Sequence, residues 1–149
     1  MKPIHTLQLT KTITSELETA LINGVPNKEI CGLLGGLMRS PQIARATTSY
    51  PIPNLSAVDN RFSIHPKIFY QKKIALEKAG FVPLALYHSH PGGVTEASFR
   101  DLELPRLTGL LSLILAFDAG TINVACYGYF KAELTPITVV VETDVLANG

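Results

Sequence analysis

Two histidines and an aspartate in the second half of the chain have the types and the spacing of metal ligands. Residues 88–91 read HSHP and, after six further residues, residues 98–101 read SFRD. Side chains two positions apart on a strand share a face, so His88 and His90 can converge on one ion while the serine between them points away. Two neutral imidazoles and the carboxylate of Asp101 leave the fourth position of a tetrahedral zinc open for water, as in catalytic sites. We therefore predict one zinc ion per chain.

Each part of this pattern also has an ordinary structural interpretation. Two histidines near a strand end can be surface residues. Ser98 followed by Asp101 can be a helix cap, in which the serine accepts a backbone N–H and the helix dipole favours the aspartate. A cap would also hold Asp101 in a fixed orientation, and the Gly92-Gly93 pair lets the chain fold back toward the histidines. The two interpretations are therefore compatible, and the joint spacing favours the metal site.

A water molecule on zinc needs a general base to take up and return its proton, and three glutamates are candidates. Glu29 begins the apolar segment 29–36, where a buried carboxylate is costly unless it has a task. Its ordinary alternative is a glutamate at the start of an edge strand. Glu96 and Glu103 flank the SFRD segment, and we expect both to be solvated. The HExxH pattern of many zinc proteases is absent from the sequence.

Hydrophobic periodicity and turn residues divide the chain into helices and strands. Two long helices are predicted, over Thr10–Gly24 and over Pro66–Ala79, where proline suits the first turn. A shorter helix that begins near Ser98 should end before Pro105. Apolar runs bounded by glycine, proline or polar residues predict six strands, at residues 29–36, 42–50, 81–88, 110–117, 122–130 and 135–141.

The order of these elements predicts the α/β class and a single domain over residues 1–149. Several late strands follow one another without helices between them. This order favours a three-layer-like α/β sandwich, with a mixed, largely antiparallel sheet and two main helices, over a doubly wound fold. A length of 149 residues and an apolar fraction of 46% suit one well-packed domain.

Composition and charge narrow the classes of partner. The chain has 13 basic and 12 acidic residues without a basic stripe, so we expect neither a nucleic-acid partner nor membrane binding. No signal peptide is recognisable, and the longest apolar run, residues 110–117, is far too short to span a bilayer. Cys31 and Cys126 should be buried free thiols, which indicates a cytoplasmic protein. The oligomeric state stays open.

The motifs together resemble the JAMM, or MPN+, metalloprotease family. Members carry an upstream glutamate, then His-x-His-Pro, then Ser-x-x-Asp, and here these elements are Glu29, residues 88–91 and residues 98–101. The resemblance also includes the loop around Asn54 and the segment 62–66 that leads into the second long helix. It implies an MPN/cytidine deaminase-like fold. It also implies hydrolysis of a peptide or isopeptide bond at the C-terminal tail of a ubiquitin-like or sulfur-carrier β-grasp protein.

The resemblance assigns a role to each of five residues. His88, His90 and Asp101 would bind zinc, Glu29 would transfer the proton of the water, and Ser98 would stabilise the oxyanion of the tetrahedral intermediate.

Two positions depart from the family pattern. Ala97 stands where proline often precedes the serine, and this difference removes no chemical group. His65 stands where an aspartate usually precedes Pro66, and we interpret it as a helix-start residue.

Two other functions are alternatives to a zinc-dependent amide hydrolase. A non-catalytic MPN scaffold, a binding module in a larger assembly, typically lacks one or more of the ligands, whereas all of them are present here. A cupin-type metal enzyme would match His88, His90 and Glu96 loosely. Cupins draw another histidine from a later strand, and no histidine follows His90 in this chain.

Overall fold

The computed structural model describes residues 3–24, 28–56, 62–90, 103–118 and 120–143. Seven strands and three helices lie in these ranges, in the order β1 (Thr6–Leu9), α1 (Lys11–Asn23), β2 (Cys31–Ser40), β3 (Ile43–Ile52), α2 (Pro66–Lys78), β4 (Val82–Ser89), α3 (Glu103–Thr108), β5 (Leu111–Asp118), β6 (Thr121–Phe130) and β7 (Glu133–Val141). The two long helices and the six predicted strands are confirmed, with ends that differ by a few residues. None of the helices in these ranges is long and apolar enough to cross a membrane.

The predicted α/β sandwich is wrong, because the sheet closes on itself. The strand order is β1-β3-β2-β4-β5-β6-β7, and β1 pairs in parallel with both β3 and β7, so the strands form a closed, mixed barrel. Periodicity did not reveal β1, since four residues are too few for an alternating pattern to stand out. Strand β1 pairs with both β3 and β7, which would otherwise be the edge strands. The sheet is therefore a closed barrel and not an open sheet with helices layered against it.

Strand β4 lies in the centre of the part of the barrel that carries the candidate site. It runs antiparallel to β2, with Cys31 opposite His88 and Leu33 opposite Leu86. On its other side it runs parallel to β5, where His88 is opposite Ile114. Directly opposed residues present their side chains on the same face of a sheet. The carboxyl end of β4 and the beginning of β2 therefore meet at one rim of the barrel.

Helix α1 begins with a side-chain cap and covers the main hydrophobic core. The Thr10 hydroxyl accepts a hydrogen bond from the Ile13 N–H at 3.2 Å, which satisfies one of the unpaired donors of the first turn. Ile13 and Leu17, one helical turn apart, are both buried and pack with Leu7 and Leu9 of β1. The helix and the strand that closes the barrel thus share one core.

Helix α2 lies over a second, smaller core. The ring Nδ1 of His65 accepts a hydrogen bond from the Lys67 N–H at 3.1 Å, so His65 caps the helix, as predicted. The buried Leu76 packs on the opposed pair Leu33 and Leu86. Because His88 follows Leu86 by two residues, it lies on the face of the sheet that α2 covers.

The short helix α3 corrects a second prediction. Pro105 lies inside Glu103–Thr108 rather than after the end of a helix. Proline is tolerated in a first helical turn, where its missing N–H would have no intrahelical acceptor. The predicted start of this helix near Ser98 lies outside the described residues.

Replacing Gly36 by alanine should destabilise the barrel strongly. A Cβ there would overlap the backbone carbonyl of Arg45, which cannot rotate away as a side chain would. We expect a loss of about 3 kcal/mol in the free energy of unfolding, the upper part of the usual range for overpacking. The matched control is Gly24→Ala, whose Cβ would lie 3.3 Å from the Ala20 carbonyl oxygen, a tight contact that a shift of a few tenths of an ångström relieves. Urea unfolding of both variants checks this, and equal stabilities would contradict the close approach at Gly36.

Candidate active site

The rings of His88 and His90 meet at the carboxyl end of β4. Their Nε2 atoms are 3.1 Å apart, and the two ring planes are inclined by 55°. His88 is only 1% exposed. His90 directly follows the strand, and its N–H donates to the carbonyl of Leu115 at 2.8 Å, which extends the pairing with β5. The backbone on both sides of β4 therefore fixes the positions from which the two rings converge.

The approach of the two rings fits two ligands of one zinc ion. Two nitrogens bound to a tetrahedral zinc, each at about 2.0–2.1 Å, lie roughly 3.3–3.4 Å apart. The observed separation of the Nε2 atoms, 3.1 Å, is close to that value. Within the described ranges no group of three His, Cys, Asp or Glu side chains assembles around the pair. The predicted third ligand, Asp101, lies outside those ranges.

Glu29 lies at the same rim, immediately before β2. The Ser89 N–H donates to the Ile30 carbonyl at 3.0 Å, and the Ser89 hydroxyl accepts from the Ile30 N–H at 2.8 Å. These bonds continue the register in which Cys31 is opposite His88, and one more residue brings Glu29 opposite His90. Glu29 is 6% exposed. A buried carboxylate at the same rim as the two imidazoles is a candidate to exchange a proton with a group bound there.

The Cys31 thiol, two residues after Glu29, stays protonated. Burial raises the pKa of the Cys31 thiol to about 12, and the negative charge of Glu29 adds to the increase. The thiol donates a weak hydrogen bond to the Ile52 carbonyl at 3.3 Å. Cys31 is therefore a neutral packing residue next to the site. Cys126 is likewise buried, and both are free thiols, as predicted.

Both cysteines should resist alkylation in the folded protein. Burial raises the pKa of each thiol to about 12, so the reactive thiolate is roughly one molecule in 10⁴ at pH 8. We expect no labelling by iodoacetamide at pH 8 in native buffer and two labels per chain in urea. Because the thiol is the acid, labelling should increase as the pH rises. Mass spectrometry checks this, and rapid labelling of native Cys31 or Cys126 would contradict the burial.

Two contacts at the site were not anticipated from the sequence. The ring of Phe62 stacks on His88 with centroids 4.4 Å apart and planes inclined by 21°. The Asn54 side-chain amide donates to the Glu29 carbonyl at 2.9 Å. The proline-rich segment 51–54 does signal a turn, in which an asparagine is common. No local pattern relates that turn to a residue 25 positions earlier.

The structure places three of the five predicted site residues at one rim and brings two of them, His88 and His90, into contact. Glu29 lies just before β2, His88 lies in β4 and His90 directly follows β4, all at one rim. Ser98 and Asp101 lie outside the described residues, as does Glu96, so their roles stay predictions. Glu103 is the first residue of α3 and is exposed, as expected for a solvated glutamate.

Comparisons with known proteins agree with these motifs. Residues 19–127 match the family described as prokaryotic homologs of the JAB domain. The chain is 27% identical to the desampylase of Haloferax volcanii over 120 residues. These aligned residues are 80% of this chain and 82% of that protein. The solution structure of a protein from Desulfitobacterium hafniense matches with a TM-score of 0.76 and 25% identity, over 93% of this chain and 94% of that one. The resemblance to the JAMM family is thereby confirmed, and the chain belongs to the prokaryotic homologues of the JAB domain.

Proposed function

We propose that this protein is a zinc metallopeptidase, a JAMM isopeptidase, that hydrolyses an amide bond at the C-terminal tail of a ubiquitin-like or sulfur-carrier protein. The observation that carries the proposal is the meeting of the His88 and His90 Nε2 atoms at 3.1 Å, at the rim where the buried Glu29 precedes β2. Membership of the JAB family and the similarity to a desampylase support a hydrolase of this kind.

Each of the five residues has a distinct task in the proposed reaction. His88, His90 and Asp101 would hold the zinc ion, which when bound supplies a water acidic enough to attack an amide near neutral pH. The carboxylate of Glu29 accepts a proton from the attacking water and then delivers it to the nitrogen of the leaving amine. The Ser98 hydroxyl donates a hydrogen bond to the carbonyl oxygen of the scissile amide as negative charge develops there.

The proposed partner is a small β-grasp protein with an extended tail. Only seven residues separate His90 from Ser98, which leaves no room for large insertions that would select among long substrate chains. The net charge of +1 gives no reason to propose a nucleic-acid or membrane partner.

The proposal is tested by incubating the purified protein with β-grasp proteins that carry C-terminal extensions. We expect mass spectrometry to show release of the extension after the terminal residue of the tail, and chelator to abolish it. The control substrate is the same β-grasp protein with the last residues of its tail removed, and it should not be cleaved. Zinc binding without cleavage of any substrate would favour the non-catalytic scaffold instead.

Ser98→Ala should affect turnover far more than stability. Loss of a helix cap costs about 1 kcal/mol, whereas loss of one oxyanion donor costs about 10²–10³ in turnover. We therefore expect the variant to retain zinc and most of its stability. Activity close to that of the wild type, measured together with urea unfolding, would mean that Ser98 is only a cap.

A further inference from the structure

We propose that Asn54 is a positioning residue that holds the general base and the His88 ring in one arrangement. This inference rests on the proposed function for its catalytic consequence, because it assumes that Glu29 and His88 act in the reaction. The contacts that link Asn54 to Glu29 and to the neighbour of Phe62 are features of the fold and do not depend on that function.

The Asn54 side chain supplies a hydrogen bond where the backbone pairing of β2 with β3 has ended. Strands β2 and β3 pair in the register that sets Cys31 opposite Ile52, and two more residues bring Glu29 opposite Asn54. There the Asn54 side-chain amide, rather than a backbone N–H, donates to the Glu29 carbonyl at 2.9 Å. On the other side of this segment, Ser89 binds both backbone groups of Ile30. The backbone that carries the Glu29 carboxylate is thus held from β3 and from β4.

The carbonyl end of the same carboxamide binds two backbone N–H groups after β3. Its Oδ1 accepts hydrogen bonds from the N–H groups of Ser56 and Ser63, each at 3.0 Å. A simple asparagine turn would need only the bond to Ser56. The second bond, together with the Leu55 N–H donating to the Ser63 carbonyl at 2.9 Å, brings the distant end of the loop back to Asn54.

These bonds hold the backbone next to Phe62. Phe62 immediately precedes Ser63, and its ring stacks on His88 at a centroid distance of 4.4 Å. One end of the Asn54 carboxamide therefore binds the backbone of Glu29, and the other end binds Ser63, the neighbour of the residue that stacks on the His88 ring. Small displacements of reacting groups are costly, about 10²-fold for roughly 1 Å, so this link should influence turnover without touching the substrate.

Two substitutions separate the two ends of the carboxamide. Asn54→Asp keeps the acceptor for Ser56 and Ser63 but replaces the donor to Glu29 with an oxygen that repels the carbonyl. Asn54→Ala removes both ends. The matched control is Asn123→Asp, at an exposed position of β6. Two quantities are measured on each metal-free protein: the chemical shift of the His88 ring protons, which the Phe62 ring current sets, and the ¹³C shift of the Glu29 carbonyl. The rate of cleavage over a range of substrate concentrations, which gives kcat and KM, and the zinc content are measured on the zinc-loaded proteins.

We expect Asn54→Asp to keep the His88 shift and to move the Glu29 carbonyl shift, with zinc retained and cleavage slower by about 10²-fold at unchanged KM. Asn54→Ala should move both shifts and slow cleavage at least as much. The control should match the wild type throughout. The inference is overturned if Asn54→Ala leaves both shifts unchanged, or if Asn54→Asp cleaves within twofold of the wild-type rate. If the wild type itself cleaves nothing, the proposed function fails, while the two chemical shifts still decide whether Asn54 holds the site.

Discussion

Glu29→Gln is expected to bind zinc normally and to hydrolyse its substrate about 10²–10⁴ times more slowly. Glutamine keeps the shape of the side chain and can hydrogen bond to the attacking water, but it cannot accept and return a proton. Because Glu29 is 6% exposed, solvent cannot readily take over this task. Zinc content and single-turnover cleavage should be measured on the same preparation.

The matched control for this substitution is Glu103→Gln, since Glu103 is an exposed glutamate at the start of α3. It should leave both zinc content and rate unchanged. Three outcomes at Glu29 are distinct. A slow variant with zinc supports the general base, a variant without zinc would make Glu29 a ligand, and a fast variant would leave it with no chemical task.

Replacing His88, His90 or Asp101 by alanine is expected to remove the zinc ion and reduce hydrolysis to the background. Catalytic zinc sites typically hold the metal through three protein ligands, and each contributes a bond that water replaces poorly. His88→Ala should also destabilise the fold, because the ring is 1% exposed and lies under Phe62. His90→Ala is therefore the cleaner test of the metal.

A histidine outside the site provides the control for these variants. His65→Asn preserves a side-chain acceptor at the start of α2, where His65 caps the Lys67 N–H. It should keep about one zinc per chain by elemental analysis. Full retention of zinc by His90→Ala would show that the two converging rings do not form the site.

The parts of the fold that depend on local sequence could be predicted. Helix α1 has its cap at Thr10 and its buried residues Ile13 and Leu17 within one continuous segment. Closure of the sheet could not be predicted, because it depends on the four residues Thr6–Leu9 pairing with β3 and with β7, far along the chain. The sandwich prediction failed at that one short strand.

In the site, too, the features set by neighbouring residues could be predicted and those set by distant contacts could not. His88 and His90 are two residues apart, and strand alternation alone predicts that their rings share a face. The β2–β4 register places Glu29 at the same rim, and in the sequence only the family motif indicates this. The supports from Asn54 and Phe62 are contacts between residues 25 or more positions apart, and neither residue type indicates its partner.

The central claim is that hydrolysis requires one zinc ion held at His88 and His90, and a zinc titration of cleavage tests it most directly. The protein is stripped with chelator, dialysed, and assayed against a β-grasp substrate with a C-terminal extension after stepwise addition of zinc. We predict no cleavage by the stripped protein and a linear recovery that reaches its plateau at one equivalent of zinc per chain. Full activity in stripped protein that elemental analysis shows to be free of zinc would contradict the account.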